Sequence, residues 1–138
     1  MRELRLWYRC TAIFVVREEP GGNATQFLIS KRSQQKDICP GWLDLGFGGI
    51  VTADEIFDVD GSAKREAEEE MGLPDLGRVR VPRGLLGSKG LLSSFSTLVP
   101  KFAFKHRYED DNTNGWVYAY YMPWSREIES AMGLRIKP

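Results

Sequence analysis

Cysteine is scarce in this chain: Cys10 and Cys39 are the only two in 138 residues. Two thiols make no disulfide framework, and these two lack metal-site spacing. A reducing compartment follows as the expectation, with the cytosol as the expected location. Histidine is scarcer still, with His106 alone. It falls on a stretch that alternates like a strand, where a structural role is expected ahead of a catalytic one. Net charge is absent, because nineteen basic residues balance nineteen acidic ones. That removes the electrostatic argument for bulk nucleic-acid binding. Long apolar runs are missing as well. The stretch near Ala12 to Val16 is far too short to span a membrane. Met1-Arg2-Glu3-Leu4-Arg5 is charged and carries no apolar signal-peptide core.

What remains is the balance of a soluble globular protein, 42% hydrophobic and 28% charged. The length suits one domain with its own core, 1–138, with no repeat and no internal boundary. Leu6 to Arg17 is rich in β-branched and aromatic residues and reads as a strand. Pro20-Gly21-Gly22-Asn23 is a turn, and Thr25 to Lys31 its hairpin partner. Ser33 to Pro40 is a polar loop, and Trp42 to Ile50 a strand feeding a glycine loop. A helix is expected from Ser62 to Met71, and further strands at Leu76 to Arg83 and Leu98 to Tyr108. Gly84 to Ser96 has no clear pattern. Asn114-Gly115 marks a turn before a returning strand, Trp116 to Met122. A last helix fits Arg126 to Met132. Strands around one central helix make an α+β domain.

The most informative stretch is Arg65-Glu66-Ala67-Glu68-Glu69-Glu70-Met71-Gly72-Leu73. On a helix, Glu66, Glu69 and Glu70 fall at i, i+3 and i+4 and share one face, while Glu68 points away into solvent. Like charges so spaced cost a helix roughly 0.2–0.5 kcal/mol per pair. A hard divalent cation would turn that repulsion into chelation and bridge to substrate phosphates. A solvated acidic face is the plain alternative. Ala67 and Met71 face the core, Asp60 or Ser62 caps the helix start, and Gly72 ends it ahead of Pro74. Upstream, Gly48 and Gly49 permit close backbone approach, and Glu55 follows after five intervening residues.

Together these residues resemble the signature of the Nudix hydrolases: glycine, a spaced glutamate, then arginine-glutamate, a glutamate pair and a glycine. Nine residues separate Glu55 from Arg65, where the family has seven. The excess around Asp58-Val59-Asp60-Gly61 reads as a two-residue loop insertion before the helix. The resemblance implies an αβα sandwich with a mixed β-sheet. It also implies hydrolysis of the diphosphate linkage in a nucleoside diphosphate joined to X, with Mg²⁺ or Mn²⁺ as cofactor. Glu69 and Glu70 are the primary metal ligands it implies, with Glu66 as ligand or general base. A carbonyl at Gly49 joins the metal shell, and Arg65 orients the glutamates. Glu55 and the loop acids Glu109, Asp110 and Asp111 are further candidates. Lys31 and Arg32 would bind phosphate, helped by Lys36 or Arg9. Trp42, Trp116 and Tyr118 are core residues first and base-stacking residues second. The implied partner is a diphosphate-containing small molecule, and a homodimer is compatible with the pattern. Fourteen residues follow Trp124. That is short for the strand and closing helix that end such domains, so part of the usual ending is expected to be missing.

Phe27 to Arg32 and Lys36 to Asp44 resemble the branch related to isopentenyl diphosphate isomerase. That branch carries a cysteine where this chain has Leu45-Gly46-Phe47-Gly48-Gly49, and Cys39 lies too early to replace it. Isomerisation is therefore the second reading, and a non-catalytic ligand-binding domain the third. Two substrate signatures fail. Ser88 and Lys89 stand where ADP-ribose enzymes carry a proline. The first tyrosine after the box is Tyr108, too late for the dinucleoside-polyphosphate pattern.

Overall fold

The computed structural model describes residues 7–22, 24–73, 98–109 and 114–133. The strand expected at Leu76 to Arg83, the Gly84 to Ser96 stretch with Ser88 and Lys89, Pro74, Asp110, Asp111 and the tail after Gly133 lie outside the described residues.

The β-branched and aromatic run forms β1, Trp7–Glu18. Thr11, Ile13 and Val15 are buried and their neighbours are half-buried, the period-2 pattern of a strand with one face on the core. β1 sits inside a four-stranded sheet ordered β2 (Thr25–Phe27), β1, β6 (Asn114–Pro123), β5 (Lys101–Glu109). β1 and β6 run parallel from Trp7↔Asn114 to Val16↔Pro123, while β2 and β5 pair antiparallel, so the sheet is mixed.

The expected Thr25 to Lys31 strand is split. β2 stops at Phe27, and Ser30–Lys31 (β3) pairs instead with Leu43–Asp44 (β4) in a separate two-stranded ladder. The cause lies on β1. Beyond the Leu28 N–H bond to the Val15 carbonyl, the β1 edge is taken by residues 47–51. Phe47 exchanges both backbone bonds with Ile13, Thr11 N–H donates to the Gly49 carbonyl, and Val51 N–H donates to the Arg9 carbonyl. A backbone edge can be satisfied once, so the chain peels away to another partner.

Helix α1 runs Val59–Met71 and starts before the expected Ser62. Its cap is Asp58, whose side chain accepts from Gly61 N–H at 2.9 Å. Asp60 and Ser62, the expected caps, lie inside the helix: Asp60 accepts from the Tyr120 hydroxyl at 2.6 Å, and Ser62 is fully buried. Asp58-Val59-Asp60-Gly61 is thus a cap and first helical turn, not a loop, so the two residues in excess of the family spacing fall at the helix start. Gly72, at φ 66°, ends the helix as expected. Ser62, Ala63, Glu66, Ala67 and Met71 form its buried stripe at helical spacing. Glu68 is half-buried, not fully solvated as its position on the far face suggested.

The stripe packs on Ile13, Val15, Tyr120 and Met122, and Ile128 of α2 (Arg126–Ala131) joins the same core. Two expectations fail at the 33–42 segment, which the two-residue β4 carries away from the core. Trp42 is 68% exposed, and Cys39 is exposed where a buried or half-buried thiol was expected. No helix among the described residues is long and apolar enough to cross a membrane.

Candidate active site

The 47–51 segment lies along β1, and α1 folds back over it. Where the two cross, Glu66 rests on Gly49. A β-carbon on Gly49 would overlap both carboxylate oxygens of Glu66, so only glycine leaves that space. Gly48 holds φ +149°, and a β-carbon there would strike the Thr11 carbonyl. The Gly49 carbonyl accepts from Thr11 N–H at 2.9 Å. The same carbonyl also receives the Thr11 hydroxyl at 3.5 Å, a long and weak contact that a stronger partner would displace.

Arg65 organises the acids. Its Nε and Nη2 donate to the two oxygens of Glu55 at 2.7 and 3.1 Å, a two-pronged fork. Its Nη1 lies 2.9 Å from both Glu66 Oε1 and Glu69 Oε2. One guanidinium therefore gathers three carboxylates. Glu70 is tethered separately by Lys36 Nζ at 3.4 Å. Glu55 ends a short 3₁₀ turn, Ala53–Glu55, and accepts a weaker bond from Thr52 N–H at 3.3 Å.

These contacts push two carboxyls in opposite directions. The Arg65 guanidinium holds Glu55 at about 2, against a smaller upward push from burial. Glu66 is pushed above its ordinary value, mainly by burial and with help from the charges of Glu69 and Glu70, despite Arg65 beside it. Glu55 therefore lends stability that is complete above its ordinary value near 4.5 and is lost as pH falls toward about 2. Glu55→Gln is expected to melt below the wild type at pH 6, with the gap closing toward pH 2. Thermal melts followed by circular dichroism at several pH values check it.

Gly49→Ala tests the cradle. In an open site the carboxylate would swing aside cheaply. Here it is buried and held by Arg65, so the substitution is expected to cost about 1–3 kcal/mol, read from denaturant melts.

The remaining expected residues divide into two neighbourhoods. Lys31, Arg32, Lys36, Gly48 and Glu70 line one cleft of about 350 Å³, so the structure brings the basic pair to the acidic helix. Arg32 is already paired with Asp44 at 3.1 Å and bonded to the Ile38 carbonyl. Lys31 and Lys36 are exposed; Lys36 is held by Glu70 at a longer 3.4 Å, and no carboxylate pairs with Lys31 among the described residues. Elsewhere, Glu109 ends the exposed strand β5 in an ion pair with Arg107 at 2.7 Å. Among the described residues it shares no hydrogen bond or ion pair with Glu66, Glu69 or Glu70. His106 is exposed on the same strand. Arg9 lines a different cavity with Trp7 and Trp116. Sequence reasoning missed Thr11 and Thr52, whose backbone N–H groups position Gly49 and Glu55; backbone donors leave no mark in residue type.

Among the described residues, no three acidic, histidine or cysteine side chains converge closely enough to hold a metal ion as they stand. As they stand, Glu66 and Glu69 share Arg65 while Glu70 lies on Lys36. The donor set still fits a hard divalent ion, because it is all carboxylate oxygen on one helix face. The Glu69 and Glu70 side chains are 59% and 40% exposed. Ion pairs so open contribute about 0–1 kcal/mol and are readily exchanged for a cation.

No protein-family model matches the chain. Over 73 residues it is 45% identical to the uncharacterized Nudix hydrolase YfcD of Salmonella typhi, a stretch covering 53% of this chain and 36% of that one. Over 116 residues it is 31% identical to the uncharacterized Nudix hydrolase SCO1686 of Streptomyces coelicolor, covering 84% of this chain and 49% of that one. The chain thus spans about half or less of the length of these curated relatives. The crystal structure of the MutT protein from Methanosarcina mazei Go1 shares the fold, with a TM-score of 0.55 and 20% identity. That match covers 88% of this chain and 67% of the other.

Proposed function

This chain belongs to the Nudix hydrolase family, and from that premise we propose that it hydrolyses the diphosphate linkage of a nucleoside diphosphate joined to X. The observation that carries the proposal is that Glu70, on the same helix as the Arg65-held Glu66 and Glu69, lines one cleft with Lys31, Arg32 and Lys36. Glu69 and Glu70, with Glu66 and the Gly49 carbonyl, would hold Mg²⁺ or Mn²⁺. Such an ion neutralises phosphoryl charge and lowers the pKa of water.

The protein's own groups do the rest. Arg65 holds Glu66 and Glu69, and Glu66 rests on Gly49 of the 47–51 segment. Lys31 and Lys36 offset the charge of a bound diphosphate at the cleft. Glu66, buried and with a raised affinity for protons, would serve as ligand or take the proton of the attacking water. Two unpaired cysteines, one exposed, support a reducing compartment and hence a cytosolic site of action.

The pairing of Glu69 with Arg65 and of Glu70 with Lys36 favours a second reading, a non-catalytic diphosphate-binding domain. Isomerisation gains nothing from the structure. Leu45 to Gly49 offers no thiol, and Cys39 is exposed in a turn. A panel of dinucleotides and nucleoside-diphosphate conjugates, with and without Mg²⁺ or Mn²⁺, separates the first two. Metal-dependent release of nucleoside monophosphate is expected. Tight binding of the same compounds with no product under either metal would establish the second reading.

A further inference from the structure

A second cavity, of about 490 Å³, opens at the start of β1 and β6, and Trp7, Arg9, Thr52, Ile56 and Trp116 are among its lining residues. Its volume lies in the range of small-molecule sites, roughly 300–1,000 Å³. None of its described lining residues belongs to the cleft of Lys31 and Glu70.

The aromatic side of this cavity is open at Trp7 and half-covered at Trp116. The Trp7 and Trp116 rings stand 6.4 Å apart at 33°, and Trp7 is 49% exposed. Cations surround them. Lys105 Nζ lies 4.1 Å from the Trp116 ring centre, and the Arg107 guanidinium 4.8 Å from that of Trp7. Arg107 is paired with Glu109, but among the described residues neither Arg9 nor Lys105 meets a carboxylate. Arg9 Nη1 donates to the Ile56 carbonyl at 2.8 Å. That bond pins the guanidinium at the wall and leaves its charge unspent. Two indole rings, one exposed and one half-buried, stand beside positive charge that meets no carboxylate among the described residues, and they suit a flat π-system that carries an anion.

The cavity also lies close to the acids. Arg9 pairs with Val51, and Thr11, two residues on, pairs with Gly49. Two residues along a strand are roughly 7 Å. The 52–56 turn that walls the cavity also carries Glu55, the anchor of Arg65.

We infer that this cavity seats the base-bearing end of a nucleotide substrate, with Trp7 and Trp116 against the base and Arg9 toward its nearest phosphate. The assignment rests on the diphosphate-hydrolase reading and gives the substrate's nucleoside half a place of its own, apart from the Lys31 cleft.

Equilibrium binding tests it without chemistry, because AMP has no diphosphate to cleave. AMP is expected to quench tryptophan fluorescence saturably, adenosine more weakly, and inorganic phosphate not at all. Trp116→Leu and Arg9→Gln are each expected to weaken AMP binding about tenfold, whereas Trp116→Phe keeps a ring and most of the affinity. Ile56→Glu, which places a carboxylate beside Arg9, is expected to weaken it by a similar factor, and the melting temperature of each variant shows that it is folded. No saturable quench by AMP at millimolar concentration overturns the inference. So does equal quenching by phosphate, or unchanged affinity in folded Trp116→Leu and Ile56→Glu proteins. Diphosphate cleavage that persists without AMP binding refutes this site alone and leaves the proposed function standing. AMP binding without cleavage of any diphosphate supports the site and removes the hydrolase reading.

Discussion

Replacing Glu69 and Glu70 together by glutamine is expected to lower metal-dependent diphosphate cleavage about 10³-fold, on the order of 4 kcal/mol, with little change in stability. The two effects separate because both side chains are largely open to water. Glutamine keeps the shape and removes two charges that repel each other and Glu66 on the helix. The fold loses only exposed ion pairs to Arg65 and Lys36, which contribute about 0–1 kcal/mol each. The chemistry loses two of its three charged oxygen donors. Initial rates at saturating Mg²⁺, set beside thermal melts, read both quantities. A double variant that melts normally and still cleaves would remove these glutamates from the reaction.

Arg65→Met is expected to damage both stability and rate. Breaking a buried pair costs about 3–5 kcal/mol when one charge is stranded. Arg65 is 31% exposed, whereas the Glu66 side chain is only 8% exposed, so about 2–3 kcal/mol is expected. Glu55 and Glu69 lose their common partner at the same step. Activity should fall about 100-fold as the carboxylates lose their shared orientation, by analogy with groups that orient metal ligands. Arg65→Lys keeps the charge but not the fork, and should recover part of the stability and little of the rate. Denaturant melts and kcat/KM on the same preparations decide it. Equal rates in Arg65→Met and wild type would mean that the guanidinium is purely structural.

The acidic helix was legible because its evidence is local. Carboxylates at i, i+3 and i+4, alanine and methionine on the core side, and a terminating glycine all act within one helix. β1 and most of β6 were legible for the same reason, since period-2 patterning needs no partner, although Asn114-Gly115, read as a turn, are the first two residues of β6. The misreadings came from competition. Thr25 to Lys31 looks like one strand, but its pairing was decided by residues 47–51, which claim the β1 edge first. Asp58 to Gly61 has turn composition, yet turn residues are also cap residues, and the Tyr120 hydroxyl draws Asp60 into the helix. Trp42 carries the composition of a core residue, but β4 is only two residues long and leaves it outside. The Arg65 fork and the Glu66–Gly49 contact follow from tertiary crossing, which spacing can suggest but not position. The charges of Lys31 and Arg32 looked equivalent in the sequence, and only the structure shows Asp44 taking one of them.

The most direct measurement is a crystal of the wild-type protein soaked in Mn²⁺, with the ion located by its anomalous signal. The account predicts a peak within direct bonding distance of Glu66, Glu69 and Glu70, with Glu69 released from Arg65 and Glu70 from Lys36. A fully loaded crystal with manganese bound elsewhere, and those two carboxylates still on their arginine and lysine, would contradict it.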